Sequence, residues 1–235
     1  MTIIRHRLAL AALTACLIAA GCGGSDDTPS ADDGGGAEAL VGLFRLDPGT
    51  CEGADVQGSY FRMVQSGGTL EDGPFVANGD SSCEDNSLTT LAPGTDGGLV
   101  TGKYQPQPTP AFDDAGNGAS AQITAPTKWF AVAFAVSTNE KDPQTGTSAS
   151  VPSISVTDGV LTGDLSAVGA SWNGQEFNQG APKPGGATSG TTVEPTGTYD
   201  PDTGAFTLDW SSQIDGGPFT NFTGVWHLEG TFEPA

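Results

Sequence analysis

Residue types that do chemistry are sparse in this chain. It has two histidines, His6 and His227. His227 lies in TGVWHLEGTF, where successive side chains of an extended strand point to opposite faces, so it shares the outward face with Val225 and Glu229. There a histidine usually makes surface hydrogen bonds. A zinc site of the common ligand sets needs more histidine or free thiol than this region has. Ser and Asp are plentiful, but no G-x-S-x-G elbow presents a serine nucleophile. Carboxylate pairs for glycoside hydrolysis are defined by separation in space, which spacing along a chain does not give. No catalytic residue is assigned on this basis.

Binding chemistry has better candidates. Trp172, Asn173, Gln175, Phe177 and Asn178 lie in WNGQEFNQ, where aromatic rings alternate with amides. A flat apolar ring beside amide donors and acceptors is what a sugar-binding surface uses. The same residues also fit a strand end whose tryptophan is core and whose Phe177 pins a loop. Asp200 and Asp202, with Gly204, space their oxygens like the start of a calcium loop, but the further ligand and distal glutamate are missing, so the segment reads as a turn. Asp113, Asp114 and Asn117 admit the same two readings. No metal or other cofactor is expected.

The elements that must position these residues are strands. Phe206, Leu208 and Trp210 alternate with Thr207, Asp209 and Ser211; Trp226, Leu228 and Phe232 alternate with His227, Glu229 and Thr231. These apolar faces should share one buried layer against Phe130, Val132 or their neighbours. A one-residue slip would bury Asp209, His227 and Glu229 instead. Lys128 to Val136 reads as one central strand: Phe130, Val132, Phe134 and Val136 form a large apolar face, and an alanine-rich face allows close packing. Leu40 to Leu46, Tyr60 to Gln65 and Leu99 to Tyr104 are further strands. Asp158-Gly159 joins Ser153–Thr157 to Val160–Leu165 as a hairpin, because both turn positions favour positive φ. Three connections are too long for simple turns: Gln105 to Ala121, Thr138 to Pro152 and Asn173 to Gly197. The triplet Gly-Pro-Phe occurs at 73–75 and at 217–219. The fold class is all-β, an antiparallel β-sandwich or related barrel of about eight to ten strands.

The N-terminus sets the expected address. Arg5 and Arg7 precede the apolar run Leu8 to Ala20, which is shorter than the roughly 20 residues a transmembrane helix needs and fits a secretory h-region. Ala19-Ala20-Gly21-Cys22 follows, and then GGSDDTPSADDGGGAE, which has nothing to bury. The first segment resembles the leader of bacterial lipoproteins, in which the cysteine after the lipobox carries the lipid. Ala19 stands where leucine is usual, and Leu13-Thr14-Ala15-Cys16 is a second match to the short pattern. The resemblance, in its leader and acidic Gly-rich tether, is to exported lipoproteins of high-GC Gram-positive bacteria. It implies a signal peptide over 1–21, lipidation at Cys22, a disordered tether over 22–38 and a domain over 39–235. The partner it implies is a lipid bilayer, held by acyl chains.

Charge agrees with that address. All 28 acidic residues follow Cys22, whereas two of the eight basic ones precede it. Nucleic-acid binding needs a basic footprint and is excluded. Electrostatic attachment to anionic lipid is excluded on the same ground. Beyond Cys22 the cysteines are Cys51 and Cys83, which in an oxidising compartment read as one disulfide worth roughly 3–4 kcal/mol. The expected function is a non-catalytic β domain on the cell envelope, for binding a glycan or envelope protein; a carboxylate-based envelope glycan hydrolase is the alternative.

Overall fold

Ala205–Gln213 and Thr223–Pro234 form the axis of the molecule. They pair antiparallel with Leu208 opposite Leu228 and Trp210 opposite Trp226. Phe206, Leu208, Trp210, Trp226, Leu228 and Phe232 are all buried, so the register expected from alternation is the one adopted. Asp209 and His227 face each other on the other side. Burying a large apolar side chain is worth roughly 1.5–3 kcal/mol each, so this set alone fixes the register against a slip.

The computed structural model describes residues 36–53, 55–185 and 190–235. In chain order the strands are β1 (Glu38–Leu40), β2 (Gly42–Leu46), β3 (Thr50–Glu52), β4 (Asp55–Gln57), β5 (Tyr60–Thr69), β6 (Gly73–Phe75), β7 (Thr89–Thr90), β8 (Gly98–Val100), β9 (Thr127–Trp129), β10 (Val132–Thr138), β11 (Ser153–Thr157), β12 (Val160–Asp164), β13 (Val168–Trp172), β14 (Gln175–Asn178), β15 (Val193–Tyr199), β16 (Ala205–Gln213) and β17 (Thr223–Pro234). The described residues contain no helix. Of these strands, β1, β3, β4, β6, β7, β8 and β9 have only two or three residues, too few for alternation to mark them in a sequence. The longer ones include most of the strands expected; Leu99 to Tyr104 is represented by short β8, and β14 and most of β15 fall where a long connection was expected.

The larger sheet runs β1-β11-β12-β15-β16-β17-β2-β8. Only Val41 separates β1 from β2, so the two are arms of one bent strand. The ladder that leaves β1 through β11 therefore returns to the same strand through β17, and the sheet curls into a barrel. Leu40, Phe44, Ile154, Leu161, Phe206 and Leu228 are buried from its strands. At the bend the hydroxyl of buried Thr101 donates to the Leu40 carbonyl (2.6 Å) and accepts from the Gly42 amide (3.0 Å), replacing the ladder bonds lost there. Gly42 must be glycine: a Cβ would stand 2.2 Å from the Glu233 carbonyl oxygen.

β17 is long enough to serve two neighbours. Its C-terminal half pairs with β2 and its N-terminal half with β5. At that second end a four-stranded sheet, β14-β13-β10-β9, lies over the hairpin, and Trp226 meets Phe61 and Phe134 at ring-centroid distances of 4.6 and 6.2 Å.

Here three expectations fail. Lys128 to Val136 is not one strand: Phe130 and Ala131, with φ of 51° and 62°, form a two-residue turn between β9 and β10, and Trp129 pairs with Val132. The turn reverses the facing on its N-terminal side, so Trp129 is buried and Phe130 is 47% exposed. The C-terminal layer accordingly packs on Phe134, not Phe130. Beyond the turn the central-strand reading holds. The alanine face is covered by the segment after Phe112, where a Cβ on Gly118 would stand 2.6 Å from the Ala135 Cβ. Asn173 to Gly197 is likewise not one long connection. Asn173-Gly174 (φ 50° and 70°) closes the β13–β14 hairpin, a turn chemistry the sequence displays and that the expected long loop overlooked. Leu99 to Tyr104 is also shorter than expected, since β8 ends at Val100. Asp158-Gly159, with φ of 50° and 78°, makes the β11–β12 turn as read.

Candidate functional site

Two hairpin turns with positive φ place the aromatic residues of the second sheet. The Phe130-Ala131 turn turns Trp129 inward from β9; the Asn173-Gly174 turn sets Trp172 and Phe177 on neighbouring strands. Trp172 Nε1 donates to the carbonyls of Trp129 (2.8 Å) and Val132 (3.2 Å), tying one hairpin to the other. Between these hairpins and β17 lies an apolar cavity of about 40 Å³. Phe61, Trp129, Phe134, Trp172, Phe177 and Trp226 line it, with Ile214 and Phe219 on the loop side. The polar side chain at its wall, Gln179, is occupied: its Oε1 accepts from Trp226 Nε1 (3.0 Å), and its backbone carbonyl accepts from Trp210 Nε1 (2.9 Å). The indole donors are satisfied, as buried polar groups require, and what faces the cavity is carbon.

Beside it lies a buried polar cluster. Lys183 is 6% exposed. Its Nζ donates to the Asn178 carbonyl (3.3 Å), Asn178 Oδ1 (3.1 Å) and Ser212 Oγ (2.7 Å). Burial pushes its pKa down to about 8, against the raising influence of Asp215 and Asp142. A serine beside a lysine of lowered pKa is the layout of an acyl-transfer nucleophile and its base. Here, though, Ser212 is fully buried and its hydroxyl donates to the Gly180 carbonyl (2.8 Å). All three ammonium protons have acceptors, so the pair works as a pin between β14 and β16. Asn178 Nδ2 donates to buried Asp142 Oδ1 (3.2 Å). Burial raises the pKa of Glu176, opposed by its bonds with Ser171 and Gln107, and Asp142 raises it further.

No family model, curated protein or solved structure matches this chain. Its function has to be read from the site.

The candidate residues of the sequence separate into distinct places. Trp172 and Phe177 line the cavity. Asn173 stands in the exposed hairpin turn, Gln175 is half-buried, and Asn178 belongs to the Lys183 cluster. They do not converge as a ring-and-amide surface. Asp200 Oδ1 accepts the Asp202 amide (2.9 Å) and Oδ2 accepts the Thr203 hydroxyl (2.8 Å). Those bonds hold the Asp200 pKa below its usual range, the Thr203 hydroxyl first. Asp200 and Asp202 thus form a turn, and Asp113 does the same with Asn117. Among the described residues no three His, Cys, Asp or Glu side chains gather closely enough to hold a metal ion.

Cys51 and Cys83 stand with Cα atoms 5.3 Å apart, within disulfide reach. Cys22 and almost all of the expected tether lie outside the described residues; Glu38, placed in the tether, already pairs with Val156. His227 Nδ1 is 2.7 Å from Asp209 Oδ1, and the ring stacks on Tyr60 at 4.8 Å between centroids. Sequence reasoning missed Trp129, Lys183 and Phe219. Phe219 is half-buried on an otherwise exposed loop, and the signal that could have found it is the repeated Gly-Pro-Phe. The two copies differ: Gly73–Phe75 is strand β6, whereas 217–219 is loop.

Proposed function

We propose that this protein is a lipid-anchored protein of the cell envelope whose β domain binds an apolar group without transforming it. Cys22 would carry the acyl anchor on the extracytoplasmic face. The residues that follow would act as a tether of roughly 20–25 Å reach, given the scaling for flexible chains. Stable attachment needs two or more acyl chains. A cysteine pair within bonding reach suits an oxidising compartment.

The observation that carries the binding reading is the cavity beneath Phe219, walled by aromatic carbon and free of any unpaired polar group. Such a lining supplies adhesion and shape but no proton donor, acceptor or nucleophile. Sugar hydroxyls would enter it unpaired, at a cost of about 1–3 kcal/mol each, so the geometry favours an apolar ligand over a glycan.

The hydrolase alternative needs a carboxylic acid held protonated near neutral pH beside a second carboxylate. Asp96 and Glu233 border one open depression of about 560 Å³. Arg45 grips Glu233 with Nε–Oε1 2.5 Å and Nη2–Oε2 2.8 Å, which holds the Glu233 pKa down. That direction is the opposite of what a general acid requires; Glu176, whose pKa burial does raise, accepts from the Ser171 hydroxyl (2.9 Å) and lines neither this depression nor the aromatic cavity.

The anchor and the binding are tested together. Cys22→Ser is expected to release the protein from membranes into the medium or a soluble envelope fraction and to abolish labelling by a palmitate analogue. The released protein, incubated with envelope extract, is expected to return with an organic-soluble molecule detected by mass spectrometry. Unchanged labelling and membrane retention would move the anchor to Cys16. Retention of glycan fractions only would replace the apolar-binding reading.

A further inference from the structure

We propose that the cavity is a cryptic site for a single apolar ring of benzene to indole size, and that the Phe219 side chain is the occupant that holds its place. This rests on the apolar-binding reading above and specifies the ligand class. The Phe219 ring reaches in from outside both sheets and lies against Trp129, Trp172 and Phe177 at centroid distances of 5.2, 5.6 and 5.9 Å. A free aromatic ring would make the same offset and edge contacts.

The loop that carries Phe219 joins a fastened base to a glycine-rich crest. Its base is fastened: Ile214 N donates to Phe222 O (2.8 Å) and Asn221 N to Ile214 O (2.9 Å). Its crest is Asp215-Gly216-Gly217-Pro218, exposed throughout, with Gly216 and Gly217 at φ 85° and 72°. The crest is held by Gln144, in the loop after β10, whose Nε2 donates to the Asp215 carbonyl (2.6 Å); Phe219 is held through its own carbonyl, which accepts from the Phe222 amide (2.9 Å), and its ring lies 5.6 Å from that of Phe222. Withdrawing the ring requires rotating the Phe219 side chain outward, or opening the Phe219–Phe222 turn against the glycine-rich crest.

Size and chemistry limit what can replace it. The void of about 40 Å³ is too small for a ligand by itself. Apolar cavities near 150 Å³ take up benzene, and vacating the phenyl ring supplies the remaining room. Gln179 and Trp226 close the floor; Gln179 Oε1 accepts from Trp226 Nε1 and Gln179 Nε2 donates to the Asn178 carbonyl (3.1 Å), so a substituent carrying a hydroxyl or charge would find these groups already engaged.

The full chain carrying Cys22→Ser is titrated with toluene and with indole, followed by near-UV circular dichroism and ligand-observed NMR. Wild-type sequence at Phe219 is expected to bind weakly and saturably. Phe219→Ala is expected to bind about tenfold or more tightly, because the competing internal occupant is gone and the open state is populated. Phe219→Leu, a milder change that keeps the loop apolar, is expected to fall between the two. Folded Phe219→Ala or Phe219→Leu protein with affinity no greater than wild type would overturn the proposal. So would palmitate binding in place of both ring probes. If the probes bind but envelope extract yields no ring-bearing molecule, the site stands and the physiological reading beneath it falls; if extract yields one that binds equally well to all three proteins, the reading stands and this site falls.

Discussion

The two ends of the β16–β17 hairpin bury similar residues in different ways. At the barrel end Phe44 is fully buried between Phe206 and Phe232, at centroid distances of 5.0 and 4.9 Å, inside a sheet that curls back to its first strand. At the other end Trp210 stacks on Trp226 at 5.6 Å, and the layer above is made of two short hairpins, a loop and a void. One end is closed by backbone hydrogen bonds around its circumference. The other is closed by side chains, and one of these, Phe219, belongs to an exposed loop. A ladder has one register, whereas side chains on loops have alternatives, so the first end should be the stable part and the second the part that responds.

The largest effects test that contrast directly. Phe44→Ala and Trp226→Ala are each expected to destabilise by about 3–5 kcal/mol, as large aromatic core truncations do, while Phe219→Ala is expected to cost about 1 kcal/mol or less, in the range of partly exposed sites. Urea melts with unchanged m-values check all three. A neutral Trp226→Ala would mean that the layer between the sheets contributes nothing, and a Phe219→Ala cost equal to that of Phe44→Ala would make the loop part of the core.

The cysteine pair sharpens the comparison, because it braces the responsive end. Cys83 belongs to the loop that supports the Phe130-Ala131 turn: Asn78 Nδ2 donates to the Lys128 carbonyl (3.1 Å), and Ala131 N donates to Asp80 Oδ2 (2.5 Å). Replacing Cys51 and Cys83 by serine is expected to cost about 2–4 kcal/mol. Hydrogen exchange should quicken at 127–134 before it does at 205–209 or 228–232. Uniform quickening would remove the distinction between the ends.

Legibility in the sequence divides along the same line. The barrel end was readable because alternation is a local property of one strand, and Phe206, Leu208, Leu228 and Phe232 fell where it placed them. The closure of the barrel was not readable, since it depends on β1 and β2 bending at Val41 and finding β11 and β17 far along the chain. At the responsive end the signals were turns rather than alternation. Phe130-Ala131 contains no glycine, so nothing local marks it as a turn, and a strand pattern runs unbroken through it. Asn173-Gly174 is legible as a turn pair, but the aromatic and amide side chains around it read equally well as a binding loop. The cavity itself arises from six strands and a loop, and no window of sequence contains it.

Lys183 separates the ends by pH. Its pKa falls from 10.5 to about 8 on folding, so between these values the unfolded chain binds more protons than the folded one and stability rises with pH. The gain, up to about 3 kcal/mol if the full shift is realised, is expected in wild type and absent in Lys183→Met. Thermal melts at a series of pH values from about 7.5 to 10.5 check the difference between the two proteins. A difference that does not change with pH would mean that the ammonium is solvated in the folded state.

The smallest expected effect lies on the outward face of the hairpin, where neither end is at stake. Burial works to lower the pKa of His227, but the hydrogen bond and charge of Asp209, together with Glu229, outweigh it and raise the value above the ordinary one. Tyr60 stacks on the ring, and Asp209 is half exposed, so solvent screens the pair. Because the folded value lies above the unfolded one, the contribution is fully present below the ordinary histidine pKa of about 6.5 and is lost as pH rises through the folded value. This is opposite in sign to Lys183 and occurs at lower pH. His227→Gln is expected to lower stability by less than about 1 kcal/mol at acidic pH and to change nothing above the window. The difference in denaturation midpoint between wild type and His227→Gln, followed from about pH 5 to 9, should therefore shrink steadily. If it grows instead, the imidazole is held neutral by its stacking on Tyr60, and Asp209 is a hydrogen-bond acceptor rather than a counter-ion. Loss of ring-probe binding in a folded His227→Gln protein would carry more weight still, since it would couple the outward face of β17 to the cavity behind it.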